Sequence, residues 1–266
     1  MTIKSGRFIL SLVPLLFFTS MTIREKLNSP PIREAVIDFR VTPRHLDQSV
    51  LTNLQEKLGN QFPKVEKMNM GKVSFSFKGE PKARQSKSLI GYRFLTDDGK
   101  LIAQFRNDGF TLNRMKPYNS WEDLTSEAFR LWVIYVELIK PGRLTRIAVR
   151  YINDIQLPLP TLEIDDYISL APKAPNEEMY NYTNFLSRVA LVSKATGISA
   201  NVIQALENSL KTDSVTYILD IDVYSMLTDT DTLSEQFLRE RFEAFRVEKN
   251  RLFFGSLTDK TLELLK

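Results

Sequence analysis

Gly91-Tyr92-Arg93-Phe94-Leu95-Thr96-Asp97-Asp98-Gly99-Lys100-Leu101-Ile102-Ala103-Gln104-Phe105-Arg106-Asn107-Asp108-Gly109-Phe110-Thr111-Leu112-Asn113-Arg114 decides the fold class. Two Asp-Gly pairs sit between runs in which apolar and polar residues alternate. Asp-Gly in that setting is a strong hairpin signal, because a type I′ turn needs positive φ at both central residues. The stretch therefore predicts a three-strand meander near 89–95, 101–106 and 109–115, broken by Pro117.

A helix follows over about 121–139. Ser120 is a good N-cap, and Glu122 and Asp123 put negative charge where the helix dipole favours it. Leu124, Ala128, Leu131, Trp132, Tyr135, Leu138 and Ile139 recur at helical spacing, and Pro141-Gly142 ends the run. Residues 145–153 alternate again, with Ile147, Val149 and Tyr151 on one face.

Upstream, Ala35, Ile37, Phe39 and Val41 alternate with Glu34, Val36, Asp38 and Arg40, which predicts a strand over 34–41. Asp47 can cap a helix over 48–59, and Val73, Phe75 and Phe77 predict a short strand. The polar and basic residues 78–88 read as an exposed loop. Downstream, strands are expected at 186–194, 198–207 and 214–224. A helix capped by Thr232 or Ser234 should run over 233–251, and a short one capped by Thr258 over 259–266.

Each half of the chain thus has consecutive strands followed by a helix. The expected fold is α+β: a largely antiparallel sheet, or an open barrel, built from two β-rich halves that each carry a packed amphipathic helix. The expected organisation is an extension at 1–20, a first half at 21–158, a Pro-rich irregular connection at 159–185 and a second half at 186–266. The two halves are expected to pack as one globular unit.

Residues 1–20 carry Lys4 and Arg7 before the apolar run Phe8 to Phe18. That run suits a signal h-region and is short for a membrane-spanning helix. Pro14 interrupts it, and Thr19-Ser20-Met21 is a poor cleavage site. The segment reads first as an upstream extension with Met21 as the start, second as an export or membrane signal, and third as an ordered helix. The first reading places the protein in the cytoplasm; the second would export or tether it.

Composition narrows the chemistry. The 266 residues include no cysteine and one histidine, His45. Disulfides, thiolate nucleophiles and Cys-ligated metal are excluded, and so is a cluster of histidines. No P-loop, dinucleotide fingerprint or nucleophile elbow occurs, and Asp229-Thr230-Asp231 lacks the glycine and distal glutamate of a calcium loop. The net charge of +4 is mild and has no basic run of the nucleic-acid type.

The polar strand faces are the remaining candidates. Glu34, Asp38 and Arg40, then Arg93, Gln104, Arg106, Thr111, Asn113, Arg150, Asp220 and Asp222, all oppose apolar residues on their own strands. The bland reading is a wet sheet face with cross-strand ion pairs. The sharper reading encloses that face. Arg93, Arg106, Asn113 and Arg150 would then bind a phosphorylated ligand, and Glu34, Asp38, Asp220 and Asp222 would hold Mg²⁺. The first strand is distantly similar to that of triphosphate-tunnel enzymes, but Val36 stands where their second glutamate belongs.

The chain also resembles an uncharacterised, sporadically distributed family of prokaryotic proteins of about this length. The resemblance rests on Pro30-Pro31-Ile32-Arg33-Glu34-Ala35-Val36-Ile37-Asp38-Phe39, on Gly91-Tyr92-Arg93-Phe94, and on Asp98-Gly99 and Asp108-Gly109-Phe110. Asn113-Arg114, Pro117-Tyr118, Ser120-Trp121-Glu122, Arg150-Tyr151-Ile152-Asn153, Leu219-Asp220-Ile221-Asp222-Val223 and Leu257-Thr258-Asp259-Lys260 extend it over about 28–265. It implies a cytoplasmic protein starting at Met21 and supplies no catalytic residue. The first functional expectation is a non-enzymatic binding or accessory protein with a protein partner and no cofactor, with homo-oligomers possible in principle. The alternative is a metal-dependent binder or hydrolase of a phosphorylated ligand. Nucleic-acid binding ranks third.

Overall fold

The structure is a computed structural model that describes residues 27–46, 49–76, 82–159, 163–173, 175, 179, 182–208, 213–228 and 234–266. The extension at 1–20, the Asp47 cap, Phe77, Thr232 and the Asp229-Thr230-Asp231 turn lie outside the described residues.

The elements in chain order are β1 (Ile32–Val41), α1 (Ser49–Leu58), β2 (Lys64–Ser76), β3 (Lys82–Leu95), β4 (Leu101–Arg106), β5 (Gly109–Met115) and α2 (Trp121–Ile139). They continue as β6 (Leu144–Pro158), α3 (Ile164–Tyr167), β7 (Phe185–Val192), β8 (Ser199–Asn208), β9 (Ser214–Met226), α4 (Glu235–Ser256) and α5 (Asp259–Glu263). The nine strands among the described residues form one sheet in the order β2-β3-β4-β5-β1-β6-β9-β8-β7. Every pairing is antiparallel. The sheet is open, so the α+β expectation holds in its sheet form rather than as a barrel.

The connectivity repeats. β1 sits near the centre; the chain then leaves for the far edge at β2 and meanders back through β3 and β4 to β5, beside β1. β6 also lies at the centre. Its chain leaves for the other edge at β7 and returns through β8 to β9, beside β6. The repeats meet where β1 pairs with β6, Ile37 opposite Val149.

Alternation supplies the core. Ile37, Leu112, Val149 and Val223 lie in one cross-strand row and are fully buried. Helices α2 and α4 cover this face. Phe39 stacks on Trp132 of α2 with centroids 4.4 Å apart, and meets Phe242 of α4 at 5.3 Å. Ser120 accepts from the Asp123 amide at 3.0 Å, Ser234 from Phe237 at 3.0 Å, and Thr258 from Thr261 at 3.4 Å, so all three caps do as expected.

Two local expectations are corrected. Residues 82–88 are not loop: β3 begins at Lys82 and pairs with β2 from Ser76 to Lys64. This hairpin forms the outer end of the sheet, and its segments Lys64 to Gly71 and Lys82 to Ser88 show no apolar alternation in sequence. The Asp-Gly turns are also not type I′, because neither aspartate has positive φ. Gly99 alone takes φ +66°, while the Asp98 carboxylate accepts from the Thr96 hydroxyl at 2.7 Å and the Lys100 amide at 3.0 Å. These bonds hold its carboxyl below the usual range. Gly109 is required for a different reason. A Cβ there would lie 2.2 Å from the Phe39 carbonyl oxygen.

Candidate functional site

Opposite the helices, the even-numbered residues of β1, β6 and β9 and their partners on β3, β4 and β5 share the wet face. Register puts Arg93, Gln104, Thr111, Asp38 and Ala148 in one row. Asn113, Val36, Arg150 and Asp222 form the next. The predicted residues therefore lie on one surface.

What the structure adds is how they are paired. Asp38 is the hub. Its carboxylate accepts from the Thr111 hydroxyl at 2.6 Å, Arg40 Nε at 2.8 Å and Arg146 Nη1 at 3.2 Å, while Arg106 Nη2 stands 3.7 Å away. Arg146 then grips both oxygens of Asp222 at 2.9 and 2.8 Å. On the other side Asp108 ties Arg106 Nε at 2.8 Å to Arg40 Nη1 at 3.2 Å. Arg150 forms a bidentate pair with Asp220, and Glu34 accepts from Asn113, which accepts in turn from Gln104 at 2.8 Å. Arg93 pairs with Glu66 at 3.3 Å.

Arg40, Arg106, Arg146 and Arg150 thus alternate with Asp108, Asp38, Asp222 and Asp220. Burial works against the charge on Arg40, yet the adjacent Asp38 and Asp108 raise its pKa. The hydrogen bonds that Arg150 donates to Asp220 raise its pKa likewise. Charge-assisted pairs of this kind contribute roughly 1.5–3 kcal/mol as hydrogen bonds before desolvation is counted. A phosphate approaching here would have to displace a carboxylate from each of these arginines.

The four proposed metal ligands share the face but converge on no common point. Asp38 and Asp222 are bridged by Arg146, Asp220 is closed by Arg150, and Glu34 faces Asn113. Among the described residues no group of three or more His, Asp or Glu could hold a metal ion. Arg146 and Asp108 went unrecognised in the sequence. Arg146 lies at the start of β6, two rows from Arg150 on the same face, and an i, i+4 arginine pair on a strand was a usable signal.

A second cluster lies on the helix-covered side. The Tyr118 and Tyr151 hydroxyls are 3.0 Å apart, and Lys249 of α4 holds its ammonium 4.1 Å from the Tyr151 ring centroid. Burial, with a smaller contribution from Arg246, lowers Lys249 to about 8. Burial also raises both tyrosines.

A large concavity lies elsewhere. Two cavities of about 640 and 490 Å³ line up along the seam between α2 and α4 and share Phe129 and Arg239. Trp132, Val133, Val136 and Leu238 make the floor and one wall of the larger. Val133 and Val136 are 59% and 41% exposed, high for valines on a helix that buries a core face. The Arg239 guanidinium lies 4.4 Å over the Phe129 ring and bonds Glu235.

No family model and no curated protein matches this chain. No described helix is long and apolar enough to cross a membrane.

Proposed function

We propose that this chain is a non-enzymatic binding protein of the cytoplasm that engages a protein partner, related to the sporadically distributed family it resembles. The groove between α2 and α4 carries the reading. It is long, apolar at its floor and open to solvent, the form that accepts an amphipathic helix by its apolar face. Exposed apolar surface of this kind marks interaction sites.

The rim selects the partner's charge. Glu137, Glu235, Glu240 and Glu243 line the two cavities with Arg130 and Arg239, so four acids against two bases leave a net −2. A segment with apolar anchors and basic flanks complements it.

The test uses a photo-crosslinking residue at Val133 in producing cells. The captured protein is then purified and its affinity measured against the wild type and against Val133→Asp. A loss of tenfold or more on Val133→Asp supports the reading. Unchanged affinity overturns it, as does turnover of phosphoesters by the purified protein.

A further inference from the structure

The two ends of the sheet are built differently. At one end β2 carries Lys64, Glu66, Lys67 and Lys72 with Gly71 among them, and charges on an edge strand discourage pairing with another chain. At the other end β7 reads Phe185-Leu186-Ser187-Arg188-Val189-Ala190-Leu191-Val192. It has no proline or glycine and a single charge. Among the described strands none pairs with its outer side. Leu186, Val189 and Val192 are 77%, 44% and 66% exposed, so apolar side chains stand in water on both of its faces. A long apolar edge left open is a template for a further strand.

The backbone shows which groups are free. The Ser193 amide donates to the Ile198 carbonyl at 2.8 Å, so Ser193 faces β8. The β7–β8 register has no bulge, and alternation along an antiparallel pair then turns Ser187, Val189 and Leu191 toward β8. Leu186, Arg188, Ala190 and Val192 point their amides and carbonyls outward.

We infer that β7 pairs with β7 of a second copy of this chain, antiparallel across a two-fold axis at Val189, joining two nine-stranded sheets into one. The outward residues fit this pairing. A two-fold axis normal to the sheet places residue i opposite a residue of the same parity, and the outward groups all have even numbers. With the axis at Val189, Arg188 faces Ala190 of the other copy, Leu186 faces Val192, and Val189 meets its own counterpart. Leu186 then covers Val192 on one face and Val189 its own counterpart on the other, and neither Arg188 stands directly opposite the other. Moving the axis to Arg188 would oppose like charges directly, which is destabilising. Arg188 donates to Asn201 within its own chain at 3.1 Å, which fixes the side chain over the wet face. This surface is separate from the α2–α4 groove and does not depend on its function.

Sedimentation of the full chain over a concentration series tests the pairing. A self-association constant in the micromolar range is expected, because an eight-residue ladder buries less than a standard interface. Ala190→Lys sets a cation opposite Arg188 and should weaken dimerisation at least tenfold. Ala190→Glu sets an anion there and should strengthen it. In this cysteine-free chain Val189→Cys should form a disulfide-linked dimer on mild oxidation, whereas Val133→Cys should not. A chain that stays monomeric at high concentration overturns the inference. Equal effects of Ala190→Lys and Ala190→Glu overturn it too, as does capture of Val189→Cys only by a different protein. Circular dichroism confirms that each variant keeps its fold.

Discussion

Arg146 holds Asp38 across the seam where the two halves of the sheet meet, Nη1 to Oδ2 at 3.2 Å, while its other nitrogen grips Asp222. One guanidinium thus joins β1, β6 and β9. The Asp38 side chain is 9% exposed and that of Arg146 22%. Removing the arginine leaves a nearly buried carboxylate with less compensation. Arg146→Met should therefore destabilise the protein by about 2–4 kcal/mol, read as a lower urea midpoint. Adding Asp38→Asn should recover part of that loss, since the neutral amide no longer needs a cation. If the double variant is as unstable as the sum of the two singles, Arg146 acts through packing alone.

Gly109 and Gly99 follow Asp in the two hairpins but are needed for different reasons. At Gly109 a methyl group would collide with the Phe39 backbone oxygen at 2.2 Å, so β5 and β1 would have to part. Gly109→Ala should cost about 2–3 kcal/mol, in the range of an overpacked core. At Gly99 nothing lies within 4 Å and only φ +66° is at stake. Gly99→Ala should cost about 1–2 kcal/mol, the left-handed penalty of an L-residue. Gly109 also takes φ +156°, so thermal melts of the pair compare backbone conformation alone at Gly99 with conformation plus steric contact at Gly109. Equal losses would show that the close approach at Gly109 carries no energy.

The sequence was legible where burial imposes a period. Ile37, Leu112 and Val149 alternate because one face of their strands is dry, and Ser120 announces α2 because its hydroxyl caps Asp123. It was illegible along Lys64 to Gly71 and Lys82 to Ser88. There, at the sheet's end, most residues with a described surface are exposed and no period is enforced. The membership of the wet face was likewise readable from parity alone. Its pairing was not, because the partner of Asp38 is chosen by strand order, and β1 beside β6 beside β9 is a long-range fact. Lys249 was invisible for the same reason: its value is lowered by burial, with a smaller part from Arg246, and that burial comes from the packing of α4 on the sheet.

Phe39 belongs to the first half and Phe242 to the second, and their rings meet at 5.3 Å with an angle of 53°. Both are buried. If the halves unfold as one unit, this contact should couple them energetically. A double-mutant cycle of Phe39→Leu and Phe242→Leu should give an interaction of about 0.5–1.5 kcal/mol, typical of a tilted aromatic pair. Each single variant should keep one coincident transition by fluorescence and circular dichroism. A coupling near zero, or a split transition, would mean that the two halves stand independently.

Lys249 makes a pH-dependent contribution whose sign follows from its surroundings. Burial lowers it from 10.5 to about 8, and its ammonium faces the Tyr151 ring, with Arg246 the nearby like charge. Below about pH 8 both the folded and unfolded chains carry the proton, and the folded state bears the full cost of burying it. Between about 8 and 10.5 the folded chain is neutral there while the unfolded chain still binds the proton. Stability from this group therefore rises with pH through that window and is flat on either side. Lys249→Met keeps the length and removes the charge. At pH 7 it should stabilise the protein by on the order of 1–3 kcal/mol, the upper figure reduced by the lost contact with the ring. Above pH 10.5 the advantage should vanish. Urea midpoints of both proteins at pH 7, 9 and 10.5 measure it. A constant difference across the series would show that the lysine is not held against its charge.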